Sequence, residues 1–246
     1  MPSEIDIYPN LAAASMAAID LIEKTAIEAV AAKGFFTLVL AGGSTPRLLY
    51  QYLAAPPCLD RCLNWPYVHF FWGDERCVDP DRPESNYALA REVLLDKISP
   101  HLGNIHRILV EYGPPTMVAR AYEEELRTFF APHPDLISGS FPCFDLILLG
   151  LGNDGHTASL FPGSPALKEE KLWVTAIADP AGEPAVPRIT LTLPVLNSAR
   201  SVLFLTAGAK KKAIWDEIAA DPETAARRYP AARVRPARLR WLHAEK

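Results

Sequence analysis

No stretch of this sequence approaches the run of about eighteen apolar residues that a membrane span requires, and none is repetitive or of low complexity. Membrane-spanning and solenoid architectures are therefore not expected. Cysteine is scarce. Cys58, Cys62, Cys77 and Cys143 show neither the paired spacing of a zinc site nor a dense disulfide framework. The expectation is reduced thiols in a cytosolic protein, with Cys58-x-x-x-Cys62 incidental. A basic leader is missing as well, because Glu4 and Asp6 stand where a secretory signal would be positive. Surplus positive charge is also lacking. A net charge of −4 argues against a general nucleic-acid coat but leaves room for a local basic pocket.

What is present is ordinary globular composition, 49% apolar and 22% charged, in a chain long enough to bury a sizeable core; residues 1–246 are read as a single domain. Asn10 to Lys33 predicts an Ala-rich helix ended by Gly34, with Leu11, Ala14, Ala18, Leu21, Ile22 and Ile27 as its apolar stripe. Phe35 to Leu40 predicts a buried strand. A glycine turn follows, and then a helix from Arg47 to Ala55 with Pro46 in its first turn. Tyr67 to Trp72 predicts a strand, Asn86 to Ile98 a helix capped by Ser85 or Asn86, and Ile105 to Val110 a short strand or an edge segment. Thr116 to Phe130 predicts a helix whose acids Glu123 to Glu125 face water. Leu172 to Ala178 is a further strand candidate. Arg188 to Leu193 alternates and predicts a half-buried strand. Ser201 to Thr206 predicts a buried strand, followed by a helix from Lys210 to Ala220. Arg227 to Arg240 is basic and broken by proline, and is read as a solvated tail pinned by Leu239 and Trp241. Strands alternating with helices imply an α/β fold, a doubly wound, mostly parallel sheet with helices on both faces.

The stretch from Phe144 to Gly163 changes character midway. Leu146 to Leu149 is a short apolar run bounded by glycine, the pattern of a strand buried on both faces. Gly150, Gly152 and Gly155 then allow a sharp turn and close approach to a ligand. Asp154 and His156 follow the carboxyl end of that strand, where open α/β sheets place ligand chemistry. The spacing Gly150-x-Gly152-x-x-Gly155 also fits dinucleotide binding, with Asp179 as the acid after the next apolar run. That reading needs a helix opening at the third glycine, and Pro162, Gly163 and Pro165 follow too soon for a long one. Ala41 to Pro46 has two readings. It is an anion cradle of free N–H groups, two hydroxyls and a positive helix end, or an ordinary strand-to-helix turn capped by Ser44 or Thr45. It is not a Walker loop, since the Gly-Lys-Ser/Thr ending is missing. Gly73-Asp74-Glu75-Arg76 is either a solvated loop or part of a site. Lys210, Lys211 and Lys212 at a helix start need an anionic partner or reach into water. His69, His101, His106, His133 and His243 lack motif context and are read as structural or surface groups.

Taken in order, Gly42-Gly43-Ser44-Thr45-Pro46, Gly73-Asp74-Glu75-Arg76-Cys77-Val78, Ser85-Asn86-Tyr87, Leu149 to Gly163, Arg188 to Pro194 and Val234-Arg235-Pro236 carry a resemblance. From about Leu38 to Trp241 the chain resembles the 6-phosphogluconolactonase family. The resemblance implies the Rossmann-related fold shared with glucosamine-6-phosphate deaminase. It implies hydrolysis of 6-phospho-D-glucono-1,5-lactone to 6-phosphogluconate in the oxidative pentose phosphate pathway, in the cytosol, without metal or cofactor. The protein is read as a monomer whose partner is this small sugar-phosphate lactone, with no nucleic acid and no membrane. Position by position, the resemblance implies that Gly43, Ser44 and Thr45 hold the phosphate, paired by Arg188 and Lys211. Asp74 and Arg76 would line the sugar pocket. His156 would transfer protons with Asp154 beside it, and N–H groups of the glycine turn are candidate oxyanion donors. Ala237 and Ala244 depart from the family pattern, which often has Gly and Asp there. The sister activity, deamination of an amino-sugar phosphate, shares the cradle and the Asp-Gly-His turn but carries Glu where Phe161 stands. Phenylalanine cannot move a proton, so Phe161 favours the lactonase. A sugar-phosphate-binding regulator would append a DNA-binding helical module, and no spare segment of suitable length lies outside the α/β body.

Overall fold

The computed structural model describes residues 5–98, 100–178 and 182–246; Glu4 and Asp179 lie outside them. Strand β1 (Ile5–Tyr8) leads into α1 (Leu11–Lys33). That helix starts where the Ala13 amide donates to Asn10 Oδ1 at 2.9 Å and stops where Gly34 takes a φ of 85°, a left-handed cap that suits glycine. Next come β2 (Phe36–Leu40), α2 (Ser44–Leu53), α3 (Cys58–Arg61), β3 (Val68–Trp72) and β4 (Asp74–Arg76). A broken helix follows, made of α4 (Asn86–Ala90), a π-helical turn (Arg91–Leu95) and α5 (Asp96–Ile98), and then β5 (Ile105–His106). The middle of the chain holds α6 (Pro115–Phe130), a small hairpin of β6 (Ile137–Ser138) and β7 (Phe141–Pro142), and β8 (Leu146–Leu149). The last part holds β9 (Val174–Ile177), β10 (Arg188–Leu191), α7 (Leu193–Ser198), β11 (Ser201–Ala207), α8 (Ala209–Ala220), α9 (Pro222–Arg228) and β12 (Arg238–Ala244).

Seven strands pair in parallel in the order β1-β12-β11-β8-β2-β3-β5, and helices cover both faces, as the alternating pattern predicts. Every residue of β2 and β8 is buried, which is why both read as unbroken apolar runs. From β2 the chain winds outward to β3 and β5, and from β8 it winds the other way to β11 and β12. The winding therefore reverses between β2 and β8, and a crevice opens there at the carboxyl ends of the strands. Among the described residues no helix is long and apolar enough to cross a membrane.

Packing corrects several expectations. A second, antiparallel sheet, β4-β10-β9, stands beside the first. It makes Gly73 to Arg76 the lead into a strand rather than a solvated loop, with Asp74 and Glu75 buried. It also buries β10 at every residue, so that strand is not half-buried, and Leu193 opens α7 instead of extending it. The basic tail is not a tail. Arg238 and Arg240 alternate with Leu239 and Trp241 in β12, which lies inside the large sheet between β1 and β11. There Trp241 stacks on Phe204 with ring centroids 4.0 Å apart. In α1 the buried side runs through Ala14, Ala18, Ile22, Ala26 and Ala29, where the four alanines let the helix lie close on the sheet, and Ile27 is turned out to water. Glu123 is not solvated either. It accepts from the Trp173 and Val174 amides at 2.9 and 3.2 Å and so anchors the start of β9. Cys58 and Cys62 are joined as a disulfide, because one turn through α3 brings their Cα atoms within 4.7 Å.

Candidate active site

The site is built from strand ends. At the end of β2, the Tyr50 hydroxyl donates to the Ala41 carbonyl at 2.8 Å and accepts from the Ala41 amide at 2.9 Å. This pins the chain where it leaves the sheet. Gly43 then takes a φ of 99°, and α2 opens at Ser44, three residues earlier than the sequence suggests. Ser44 and Thr45 therefore form the first helical turn rather than capping it. No side chain among the described residues caps that turn, which leaves its amides free. The same device recurs at α8, where Gly208 has a φ of 89° and again no side-chain cap forms.

These ends border a cleft of about 230 Å³ at the reversal point of the sheet. Gly43, Ser44, Thr45, Asp74, Arg76, His156, Arg188 and Lys211 all line it. Of the expected residues, Asp154 alone is set back, one hydrogen bond behind His156. Among the three lysines Lys211 lines the cleft, and Lys212 is drawn away by an ion pair with Asp216 at 2.6 Å.

The small sheet supplies the polar wall. Its register sets Arg188 opposite Arg76 and Thr190 opposite Asp74, so alternate residues of both strands share one face. Like charges directly opposite each other destabilise a sheet. Burial and the Arg76 guanidinium both push the Arg188 pKa below its ordinary value, against the support of Asp74 and Glu75. The Nε atoms of Arg76 and Arg188 are buried without a hydrogen-bond partner among the described residues. An anion in the cleft would relieve all of this. Asp74 is less free than its place suggests. Its Oδ2 accepts from the Ser159 hydroxyl at 2.6 Å, and its carbonyl accepts from Asn86 Nδ2 at 2.8 Å. It braces the loop after His156 while lining the cleft. Glu75, on the opposite face, accepts from the amides of Arg76, Asn86 and Tyr87 at 2.7 Å and from the Ser85 hydroxyl at 3.1 Å. Burial nevertheless holds its pKa above the usual carboxylate range.

After β8 the chain turns tightly. The Gly152 amide donates to the His156 carbonyl at 2.8 Å, and the Gly155 amide donates to the Gly152 carbonyl at 3.1 Å. No helix opens at Gly155, which removes the dinucleotide reading. It also removes these two amides as oxyanion donors, since both are used within the turn. His156 Nδ1 lies 2.6 Å from Asp154 Oδ1, and the His156 amide donates to the same oxygen at 3.1 Å. Burial opposes ionisation of Asp154, but the two bonds from His156 outweigh it and hold the carboxyl below its ordinary pKa. An ionised carboxylate only accepts, so the shared proton sits on Nδ1, and in the neutral imidazole the lone pair is then on Nε2. Burial lowers the Lys211 pKa, with Asp154 acting against that. Phe161, 2% exposed, lies with its ring centroid 4.5 Å from that of His156.

A sequence model of the family described as glucosamine-6-phosphate isomerases/6-phosphogluconolactonase matches residues 9–242. The chain belongs to this family. Within it, the chain is 42% identical over 243 residues to a 6-phosphogluconolactonase of Synechocystis sp., covering 98% of this chain and 95% of that protein. It is 39% identical over 196 residues to one of Haemophilus influenzae, covering 80% and 78%. The crystal structure of 6-phosphogluconolactonase from Thermotoga maritima superposes with a TM-score of 0.83 at 31% identity, covering 99% of this chain and 100% of that one. The family motifs lead to the cleft residues. They do not single out Tyr50 or Ser159, which hold the cleft's walls in place through contacts distant in sequence. The Asp-Glu pair and the Ser85-Asn86-Tyr87 motif were signals for the Glu75 brace, since a buried carboxylate needs donors.

Proposed function

We propose that this chain hydrolyses 6-phospho-D-glucono-1,5-lactone to 6-phosphogluconate, as a single-domain monomer in the cytosol serving the pentose phosphate pathway, without metal or cofactor. One observation carries the reading. An imidazole oriented by a carboxylate opens on the same cleft as an uncapped helix turn, Arg188 and Lys211.

Opening a lactone needs a water activated toward an ester carbonyl, stabilisation of charge on the carbonyl oxygen, and a proton for the leaving ring oxygen. Neutral His156 takes the proton of the attacking water on Nε2 and returns one to the ring oxygen. Asp154 fixes the tautomer and stabilises the imidazolium between those steps. Gly43, Ser44 and Thr45 receive the phosphate at the helix end, and Arg188 and Lys211 pair with its charge. Asp74 and Arg76 border the sugar. With the Gly152 and Gly155 amides occupied, the Arg76 guanidinium, whose Nη1 donates to the Glu84 carbonyl at 2.7 Å, is one donor on the cleft wall that can meet charge on the carbonyl oxygen. Holding the phosphate fixes the carbonyl against His156, so remote binding energy lowers the chemical barrier. Phe161 against the imidazole supports hydrolysis over amino-sugar deamination, because no second acid stands there.

The test follows disappearance of 6-phosphogluconolactone above its spontaneous hydrolysis, with unphosphorylated gluconolactone beside it. Acceleration confined to the phosphorylated lactone is expected. No acceleration of either, with ammonia released from glucosamine 6-phosphate, would overturn the proposal. His156→Ala should lower kcat by about 10²- to 10⁴-fold while KM stays within a few fold; an unchanged kcat would remove His156 from the mechanism.

A further inference from the structure

Tyr229 lies outside every motif above, yet it touches the turn that presents His156. Its ring is buried against Gly155, where a Cβ would meet Tyr229 Cδ1 at 2.2 Å. Gly155 also has a φ of 81°, so both its backbone and its neighbour require glycine. Two residues beyond the ring, the Ala231 amide donates to the Gly155 carbonyl at 3.1 Å. At its far end the Tyr229 hydroxyl donates to Glu217 Oε2 at 2.7 Å, and Arg228 Nη1 donates to the same oxygen at 2.9 Å. Glu217 belongs to α8, whose first turn carries Lys211. One side chain therefore links the turn holding the imidazole to the helix holding the lysine.

Resting on the lactonase reading, we infer that Tyr229 is a positioning residue that fixes His156 relative to the phosphate end of the cleft. The substrate is short and its ring is stiff. With its phosphate held at α2 and Lys211, the carbonyl falls at one place, and the imidazole must already be there. Releasing the turn from Tyr229 lets the imidazole wander while α2, pinned by Tyr50, keeps the phosphate cradle. The damage then falls on turnover rather than on affinity.

The experiment compares Tyr229→Ala, which loses ring and hydroxyl, with Tyr229→Phe, which keeps the ring on Gly155 and loses only the bond to Glu217. Tyr229→Ala is expected to lower kcat about 10- to 100-fold with KM within about threefold, and Tyr229→Phe to recover most of the loss, since small displacements of a catalytic group are that costly. Amide hydrogen exchange without substrate is read alongside. Residues 152–156 should exchange faster in Tyr229→Ala, and residues 44–49 should not. A wild-type kcat in Tyr229→Ala, or a rise in KM alone, would overturn the inference. If the wild-type protein turns over no lactone, the lactonase reading fails, and exchange alone decides the contact: unchanged protection at Gly155 and His156 overturns it, and a localised loss sustains it. Should Tyr229→Ala not fold, Tyr229→Leu takes its place under the same criteria.

Discussion

At Gly152 a single methyl group is enough to displace His156, the proposed proton-transfer residue. A Cβ there would lie 2.0 Å from His156 Nδ1 and 2.6 Å from Asp154 Oδ1, inside the hydrogen bond that sets the tautomer. The φ of Gly152 does not demand glycine, so the requirement is one of space alone. Gly152→Ala should therefore fold as the wild type does, with kcat for the phosphorylated lactone down by about 10²-fold. Steady-state kinetics beside a thermal melt would check this; a variant with full turnover would mean that the imidazole works from another position. Gly42 is used in the same way, with Asn86 Oδ1 at 1.7 Å from a would-be Cβ. Both glycines are visible in the sequence as turn residues. What presses on them is not, because Asn86 lies far along the chain from Gly42.

At the scale of elements, two tyrosines lock two strand ends by one device. The Tyr50 hydroxyl takes the Ala41 amide and gives to its carbonyl at the end of β2; the Tyr122 hydroxyl, from α6, does the same for Trp72 at the end of β3, at 3.0 and 3.1 Å. Tyr50 is fully buried, and burial raises its pKa, which keeps the proton needed for the donor role. Tyr50→Phe leaves the half-buried Ala41 amide and carbonyl without this partner, at a cost of at most about 1–3 kcal/mol for each group left unpaired. Denaturant titration should register that loss, and KM for the phosphorylated lactone should rise. An unchanged midpoint with unchanged KM would show that water replaces the hydroxyl. Elements of this kind divide what was legible from what was not. The strands β2, β8 and β11 and the Asp154–His156 turn were legible because local apolar runs and glycines determine them. The small sheet was not, since β4 is three charged residues that become a strand only by pairing with β10 over a hundred positions later. β12 was hidden behind the prolines that precede it, although Leu239 and Trp241 already alternate with arginines.

For the whole molecule, acid sensitivity is built into the β3–β5 edge of the sheet. His69 Nδ1 lies 3.0 Å from His106 Nε2, and His106 Nδ1 lies 2.7 Å from Glu125 Oε1. Burial first, then the neighbouring His106 and Lys33, brings the His69 pKa down from 6.5 to about 4. The unfolded chain thus binds this proton at a higher pH than the folded one. The resulting stability is whole above about pH 6.5 and is lost as pH falls toward 4. Melting temperatures taken from pH 7.5 down to 4 should fall less steeply in His69→Gln than in the wild type; parallel curves would remove His69 as the cause. The placing of β12 has a consequence of a different kind. β1 is made well before β12, yet the two pair, with Ile5 beside Trp241 and Tyr8 beside Ala244. While the chain is being synthesised, β1 waits unpaired until Arg238 to Ala244 have left the ribosome, and β11 meanwhile shows Phe204 without its stacking partner. The Gly208 amide, at the start of the helix whose first turn carries Lys211, donates to the Ala244 carbonyl at 3.0 Å, so the lysine end of the cleft is set at the same moment. The nascent protein therefore gains β12 and this end of its cleft together.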